Sequence, residues 1–293
     1  MSFLHVVVDQ FTGQLILRQH FCDSILRSLQ LRRSWAVFDA MEGRGTVMFR
    51  PDDHLARLFE SCRGASIPTV SLPTASEIKK LLTRLLVQDR NKESLISTFI
   101  SRGTTQNGKT PSGFPEMILE VQPLVKTKNK ALKLITICAR RDFPRVKLVG
   151  EYGKSALYCL QAEEKGFDGF LFRDPVEGIT EEPYANIFFI TKKNELVTPA
   201  EGKVLSGITR KVVLEIARGA ESLFSDVREL PYIHPHSLKE YQEVFLTSTT
   251  RLIAPVKLIE EHKFKIGPRT QTAALQRLFY EYREKYFSER GAK

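Results

Sequence analysis

Apolar residues recur at helical spacing near the middle of the first half of the chain. In the segment Asp52–Cys62, positions i, i+3, i+4 and i+7 are Leu55, Leu58, Phe59 and Cys62. Further on, Thr74 and Glu77 have the spacing of a capping box, and Ile78, Leu81, Leu82, Leu85 and Leu86 follow as a second apolar stripe. The pattern therefore predicts two amphipathic helices, the first with acidic residues at its start.

Short apolar or alternating runs predict the strands. In the first half they are Met1–Val8, Leu95–Ser101, Met117–Val121 and Leu132–Cys138. In the second half, helices and strands alternate. The predicted helices there are Tyr152–Lys165, Thr209–Ala217 and Pro268–Tyr286, and the predicted strands are Gly169–Arg173, Asn186–Thr191 and Val244–Thr247.

The domain boundary is expected where apolar residues become scarce. Pro123–Lys130 is charged and holds few large apolar side chains. We therefore predict an N-terminal α/β domain over residues 1–125, a linker over 126–130, and a C-terminal domain over 131–293. The polar segment Arg102–Pro115 is predicted to be a mobile loop of the kind that borders binding sites.

Composition narrows the class of protein without giving a function. The 293 residues contain no apolar run near the roughly 18 that a membrane helix needs. Four dispersed cysteines indicate neither a disulfide framework nor a metal site, so we expect a reducing cytoplasm. The net charge of +10 comes from scattered Lys and Arg, which favours a basic surface that attracts small anions over a nucleic-acid partner.

Several polar residues together suggest a site for an aldehyde cofactor that carries a ring nitrogen and a phosphate. Lys147 is flanked by Val146, Leu148 and Val149 at a predicted strand-to-helix junction, and a lysine amine can form a Schiff base. Taken alone, however, a lysine is more often solvated. Glu181 can pair with a protonated ring nitrogen, although Glu181 and Glu182 by themselves fit a solvated pair at a hairpin tip.

Two further segments could bind the phosphate. Gly207-Ile208-Thr209-Arg210 begins a predicted helix, where backbone N–H groups attract anions. Thr247-Ser248-Thr249-Thr250 ends a predicted strand with four hydroxyl groups. Arg57 lies beside the apolar stripe of its helix, from which it could reach solvent or an inward-facing anion. His54, His234 and His236 form no pattern and are expected to be structural or surface residues.

The order of these motifs resembles the class IV (fold type IV) pyridoxal-phosphate enzymes, which include branched-chain and D-amino-acid aminotransferases and aminodeoxychorismate lyase. Val37-Phe38-Asp39, followed by His54-Leu55-Ala56-Arg57-Leu58, is similar to the family's V-[FY]-E and H-x-x-R-L. Four later segments also look like family motifs. They are Lys147 with Tyr152 and Gly166, Ile179-Thr180-Glu181 with Asn186-Ile187-Phe188, Thr198-Pro199 with Leu205–Arg210, and Thr247–Thr250 with Pro255-Val256.

The resemblance implies the fold and the roles of individual residues. It implies a two-domain α/β (α+β) protein, with a small N-terminal α/β sandwich and a larger C-terminal pseudo-barrel, that forms a homodimer and binds pyridoxal 5′-phosphate. Lys147 would be the catalytic Schiff-base lysine, and Glu181 would pair with the ring nitrogen. The other implied cofactor residues are Arg57, Ile208, Thr209 and Thr249 at the phosphate and Tyr152 at O3′, and the implied substrate pocket contains Phe38, Thr250 and Arg251.

The chain also departs from the family pattern, and these departures bear on the substrate. Asp39 replaces the usual Glu, Glu151 replaces an Asn, and Arg251-Leu252 replaces a small residue followed by Glu. The loop 102–115 has Asn107 and Lys109 in place of the Arg-x-His pair that D-amino-acid members carry. The expected reaction is transamination from an apolar L-amino acid to a 2-oxo acid. A lyase, a D-amino-acid aminotransferase and a non-catalytic binding protein remain as alternatives.

Overall fold

The computed structural model describes residues 2–8, 15–18, 34–103, 114–125 and 130–291. The chain divides into two compact units. The first unit consists of Met1–Val125, Val146–Glu151 and Phe287–Lys293, and the second consists of Lys126–Arg145 and Tyr152–Tyr286. The short segment that contains Lys147 therefore belongs to the first unit, although its sequence position falls inside the predicted C-terminal domain. The division into domains at 125 and 131 remains a prediction.

The first unit is built on a mixed α/β arrangement around one antiparallel sheet. Its six described strands are β1 (Ser2–Val8), β2 (Leu15–Arg18), β3 (Ala36–Arg44), β4 (Val47–Met48), β5 (Glu93–Ser101) and β6 (Glu116–Pro123). Their order in the sheet is β2-β1-β6-β5-β3-β4. The predicted strands at Leu95 and Met117 are thus confirmed and extend slightly further at their ends.

Two amphipathic helices cover this sheet. Helix α1 (Pro51–Gly64) begins at a proline with Asp52 and Asp53 in its first turn, where carboxylates favour the helix dipole. Helix α2 (Ala75–Asp89) begins at the predicted capping box. The Thr74 hydroxyl accepts a hydrogen bond from the Glu77 amide at 3.3 Å, and the Glu77 carboxylate accepts one from the Thr74 amide at 2.8 Å. The apolar stripes of both helices pack with sheet residues such as Met41, Ile96 and Leu119.

The second unit is built on a larger mixed sheet. Its ten described strands are β7 (Leu132–Ile137), β8 (Gly169–Asp174), β9 (Gly178–Ile179), β10 (Glu181–Glu182), β11 (Ala185–Thr191), β12 (Glu195–Pro199), β13 (Asp226–Leu230), β14 (Tyr241–Ser248), β15 (Leu252–Ile259) and β16 (His262–Lys263). The main path runs β13-β12-β11-β14-β15-β7-β8-β9, with β10 paired to β11 and β16 to β15. Phe189, Leu246 and Val256 contribute to its core.

The remaining described helices are α3 (Val149–Glu164), α4 (Ile208–Arg218) and α5 (Gln271–Gly291), with a 3-10 helix at Pro235–Glu240. The closing helix was predicted from Pro268 but begins three residues later. The helix begins at Gln271 because a side chain from a distant strand caps its first turn. The Glu243 carboxylate accepts hydrogen bonds from the amides of Gln271 and Thr272 at 3.0 and 2.8 Å. The Thr270 hydroxyl accepts a further bond from the Ala273 amide at 3.1 Å.

Some sequence predictions fall on residues that the structure does not describe. Asn107 and Lys109 of the predicted loop lie outside the described residues, as do positions 126–129 of the predicted linker. Among the described helices, none has the length and apolar character to cross a membrane.

Candidate active site

Lys147 directly precedes a single β-bridge residue, Leu148, and helix α3 begins at Val149. Its carbonyl accepts a hydrogen bond from the Phe38 amide at 3.1 Å, and its own amide donates to the Ser61 hydroxyl at 3.1 Å. Leu148 forms an antiparallel bridge with Val37, so the segment runs along strand β3. The side-chain nitrogen of Lys147 is 4.5 Å from the centroid of the Phe38 ring. Helix α3 begins two residues after Lys147, and a single bridge stands where a strand was predicted. The Lys147 amine lies over the face of an aromatic ring.

Arg57 belongs to a buried polar cluster in the first unit. Its Nε and Nη2 donate to the two oxygens of Asp39 at 2.8 and 2.9 Å. His54 Nδ1 is 2.6 Å from Asp39 Oδ1, on the same face of α1 as Arg57. The arginine therefore points inward, and one edge of its guanidinium is held by a bidentate ion pair.

Charges in this cluster fix the protonation of both partners of Arg57. Burial by itself raises the pKa of Asp39, but the neighbouring Arg57 and His54 outweigh it and hold that pKa well below its usual value. For His54, burial lowers the pKa, and Arg57 and Lys147 lower it further against the opposing effect of Asp39. Asp39 is therefore ionised and His54 neutral near pH 7.

Glu181 is the centre of a second polar cluster, in the second unit. Its Oε2 accepts hydrogen bonds from Asn186 Nδ2 at 3.0 Å and from the Leu205 amide at 3.1 Å. Its Oε1 lies 3.5 Å from Arg141 Nη1. The carboxylate is only 3% exposed. The interpretation of Glu181 and Glu182 as a solvated pair is therefore wrong, because β10 is hydrogen-bonded to β11 and both side chains are buried.

The five-residue interval from Glu181 to Asn186 is the span of this hairpin. Glu181 is directly opposite Asn186, and Asn186 is directly opposite Thr247 on the next strand. Residues opposite each other in antiparallel strands point to the same face of the sheet. Glu181, Asn186 and Thr247 therefore form a row across one face. The Thr247 hydroxyl is buried and has no hydrogen-bond partner within the described part of the chain.

The start of helix α4 adjoins this row. Gly207 is its N-cap residue, without a side-chain hydrogen bond to the helix. A Cβ at Gly207 would lie 2.0 Å from Asn186 Oδ1, so only glycine allows this close approach. The first hydrogen bond of the helix runs from the Lys211 amide to the Gly207 carbonyl at 2.9 Å, so the amides before Lys211 have no acceptor within the helix. The amides of Ile208 and Thr209 thus lie at the helix end, where an anion is favoured.

The hydroxyl segment ends strand β14, as predicted, and Thr249, Thr250 and Arg251 form the turn to β15. The Arg251 amide donates to Ser248 Oγ at 3.2 Å. Its side chain donates from Nη1 to Glu182 Oε1 at 3.1 Å. Burial raises the pKa of Glu182, and the charge of Arg251 opposes this rise only in part. The guanidinium of Arg251 is therefore engaged by a carboxylate of the same unit.

Tyr152 and Arg141 complete the surroundings of Glu181. The Arg141 guanidinium lies 5.1 Å from the centre of the Tyr152 ring, and that ring is 5.5 Å from Tyr184. A cavity of about 420 Å³ in the second unit is bordered by Arg141, Thr180, Glu181 and Lys203. The scattered Lys and Arg of the sequence favour an exposed basic surface, but Arg141 is buried. No local signal reveals it, because its partner lies 40 residues later in the chain.

The donor set of the second unit fits a pyridoxal-phosphate group. A carboxylate held by two neutral donors and one cation can face a protonated ring nitrogen. The helix end at Ile208 and Thr209 and the hydroxyls of the β14–β15 turn are suited to a phosphate dianion.

Comparisons with known proteins agree with this chemistry. Residues 36–259 match the family model described as Amino-transferase class IV. The mitochondrial branched-chain-amino-acid aminotransferase of Saccharomyces cerevisiae is 31% identical over 261 residues, covering 78% of this chain and 66% of that protein. A branched-chain amino acid aminotransferase 1 of Humulus lupulus is 26% identical, covering 82% of this chain and 63% of that protein. The chain thus spans just under two thirds of the length of these relatives.

Solved structures show the same fold. The branched-chain amino acid aminotransferase of Thermobaculum terrenum in its PLP form superimposes with a TM-score of 0.78 at 23% identity, covering 98% of this chain and 94% of that one. A Legionella pneumophila protein assigned as a 4-amino-4-deoxychorismate lyase gives a TM-score of 0.76 at 21% identity, covering 87% and 93%. The predicted mixed α/β fold of type IV is confirmed.

Proposed function

Because the chain belongs to the class IV amino-transferase family, we propose that it is a pyridoxal-phosphate-dependent aminotransferase. It moves the amino group of an apolar L-amino acid such as leucine, isoleucine or valine to a 2-oxo acid such as 2-oxoglutarate. The observation that carries the proposal is the buried Glu181 carboxylate, held by Asn186, Leu205 and Arg141 beside the start of helix α4. A carboxylate so held is suited to keep a ring nitrogen protonated.

The cofactor supplies an electron sink for negative charge on the substrate α-carbon. Glu181 would pair with the protonated ring nitrogen, and its carboxylate is held in place by the donors of Asn186 and Leu205 on Oε2 and by Arg141 beside Oε1. Lys147 would hold the cofactor aldehyde, and its Nζ would then be the acid and base of the proton shift, taking the proton from the substrate α-carbon and returning it on the cofactor side. The amides of Ile208 and Thr209 and the Thr249 hydroxyl would hold the phosphate, for which Arg57 would be a further cation, and Tyr152 would face O3′.

The substrate preference rests on Phe38, Thr250 and Arg251. Phe38 stacks on Phe99 with ring centres 5.6 Å apart and contacts the Lys147 amine, which supports an apolar pocket. Arg251 would favour an acidic substrate if its charge were available, but Glu182 neutralises it at 3.1 Å. An apolar pocket separates side chains by only about 1–3 kcal/mol per methylene, so neighbouring aliphatic and aromatic donors should also react.

The proposal includes the oligomeric state of the protein and its cellular compartment. The enzyme acts as a homodimer in the cytoplasm, and its ligands are small amino and 2-oxo acids. Within the described part of the chain, Cys62, Cys138 and Cys159 are free thiols, which suits a reducing compartment.

Absorbance spectra of the purified, cofactor-loaded protein test the proposed function. L-leucine should convert the aldehyde form to the amine form of the cofactor, and 2-oxoglutarate should reverse the change. Rapid conversion by D-alanine with none by L-leucine would overturn the L-branched-chain assignment. Pyruvate release from an aminochorismate, without accumulation of the amine form, would instead indicate the lyase.

The position of the reactive lysine is tested in the same preparation. Borohydride reduction and peptide mapping should place the pyridoxyl group on Lys147. Lys154 is the matched control, since it lies seven residues later and forms a surface ion pair with Asp142 at 3.3 Å. An adduct on Lys154 would contradict the assignment.

A further inference from the structure

The ion pair between Glu182 and Arg251 joins two parts of the second unit that the proposed site uses. Glu182 lies on β10 directly after Glu181, and Arg251 lies in the β14–β15 turn two residues after Thr249. The two partners are 69 residues apart in sequence, and their side chains meet at 3.1 Å. The pair thus connects the strand that presents Glu181 to the turn that presents Thr249.

Each partner is also fixed to its own backbone. The second oxygen of Glu182 accepts a hydrogen bond from the Tyr184 amide at 2.8 Å. The Arg251 amide donates to Ser248 Oγ at 3.2 Å, and Leu252 after it adopts a left-handed φ of 55°. A non-glycine residue in this region is strained and persists only where its surroundings demand it. The ion pair therefore joins two well-defined backbone segments.

The burial of the pair makes it a firm connection. The Glu182 side chain is 2% exposed and that of Arg251 is 25% exposed. A buried carboxylate without its cation is strongly disfavoured. Movement of the β14–β15 turn away from β10 would leave the Glu182 carboxylate buried without its cation. The ion pair therefore holds this turn in place.

We propose that the Glu182–Arg251 pair is a positioning clamp that sets the distance between the Glu181 carboxylate and the Thr249 hydroxyl. It prepares the second unit for a ligand whose ring nitrogen and phosphate have a fixed separation. The inference rests on the proposed function, which gives Glu181 and Thr249 their roles. Neither Glu182 nor Arg251 contacts the cofactor in this scheme.

A positioning role for the Glu182–Arg251 pair has a consequence for ligand affinity that a purely structural role does not have. A ligand that binds at both Glu181 and Thr249 gains affinity, because once one end is bound the other end is already close to its subsite. This gain depends on the distance between the two subsites. Loosening the turn should weaken a two-ended ligand. A ligand that uses only one end should be affected little.

The test uses the full-length protein and three ligands without an aldehyde, so that Lys147 forms no covalent bond. Pyridoxine 5′-phosphate engages both ends, pyridoxine only the ring-nitrogen end, and inorganic phosphate only the phosphate end. The variants are Arg251→Met and the double variant Glu182→Met with Arg251→Met, which replaces the buried pair by apolar side chains. Arg228→Met is the control, because Arg228 lies on edge strand β13, where its ion pair with Glu195 of β12 is exposed.

In both variants, affinity for pyridoxine 5′-phosphate should fall by about tenfold, and the double variant should lose no more than the single one, as expected for coupled residues. Affinities for pyridoxine and for phosphate should stay within about twofold of the parent, and Arg228→Met should change none of the three. An equal loss for all three ligands, or no loss for the two-ended ligand, would overturn the clamp. If the parent itself fails to bind pyridoxine 5′-phosphate, the proposed function falls, and the clamp with it.

Discussion

At the scale of single residues, the cluster of Asp39, His54 and Arg57 shows how a buried charge is kept in one state. Asp39 is fully buried, and its two oxygens are occupied by Arg57 and His54. A buried carboxylate is tolerated when it is both paired and hydrogen-bonded. The departure from the family's usual glutamate therefore leaves an intact ion pair with the arginine of the H-x-x-R-L motif.

The lowered pKa of His54 makes the stability of the first unit depend on pH. In the unfolded chain, the His54 imidazole has the ordinary pKa of 6.5, and in the folded chain its pKa is lower. Between these two pKa values the unfolded chain therefore binds more protons than the folded chain. The free energy of unfolding should therefore be fully retained above pH 6.5 and should fall as the pH drops below it. His54→Asn keeps a donor for Asp39 but does not titrate, so this part of the slope should disappear.

Urea unfolding from pH 5 to 8 measures the effect. The fluorescence of Trp35, which donates a hydrogen bond to the Ala65 carbonyl at 2.7 Å within the first unit, reports this unit specifically. His236→Asn is the control, since His236 is exposed. An unchanged slope in His54→Asn would show that another group is responsible.

At the scale of elements, the start of helix α4 depends on the absence of a side chain. Gly207 has an ordinary φ of −66°, so its role is close approach and not backbone freedom. Asn186, which fills the space of the missing Cβ, also donates to Glu181 and to the Leu205 carbonyl. One glycine thus permits the contact between a strand, a loop and a helix end.

Gly207→Ala should consequently disturb both the fold and the anion site. Forcing a methyl group into this contact should lower the free energy of unfolding by about 1–3 kcal/mol, and displacement of Asn186 should weaken binding of inorganic phosphate. Gly219→Ala is the matched control at the other end of the helix, where the added Cβ would meet its nearest atom at an ordinary 3.6 Å. Circular dichroism and phosphate titration measure the two effects. Equal behaviour of the two variants would contradict the argument.

At the scale of the whole molecule, helix α3 presents an apolar stripe to solvent. Gly153, Ala156, Leu157 and Leu160 follow the helical spacing and are exposed, with Leu157 at 64% and Leu160 at 56%. The helix carries Lys154 near its start and Glu163 and Glu164 near its end. An antiparallel pair of copies would bring these opposite charges together, which suits a two-fold symmetric contact.

We therefore expect the proposed homodimer to use this stripe. Leu157→Glu combined with Leu160→Glu should give monomers in light scattering after size-exclusion chromatography, because two buried carboxylates would face their own copies. Val87→Glu is the control, since Val87 is 58% exposed on helix α2. A double variant that stays dimeric would exclude helix α3 as the interface, and a monomeric parent would contradict the homodimer.

Features that depend on near neighbours along the chain could be predicted from the amino-acid sequence. The spacing of Leu55, Leu58 and Cys62 gave helix α1, and Thr74 with Glu77 gave the start of helix α2, because periodicity and capping are local effects. The order of the motifs also determined the family. The five-residue interval between Glu181 and Asn186 was part of a motif in the sequence, but the burial of the two side chains could not be predicted from it.

Which charged side chains meet could not be predicted, because it depends on the folded arrangement of distant segments. Arg141 faces Glu181, Arg251 faces Glu182, and Glu243 caps helix α5, each across a long separation in sequence. The partner of a charged side chain depends on which strands become neighbours and on what water they exclude. No local pattern encodes either, because both follow from the packing of the whole unit. The same packing turned two glutamates that resembled a solvated turn into buried carboxylates with separate partners.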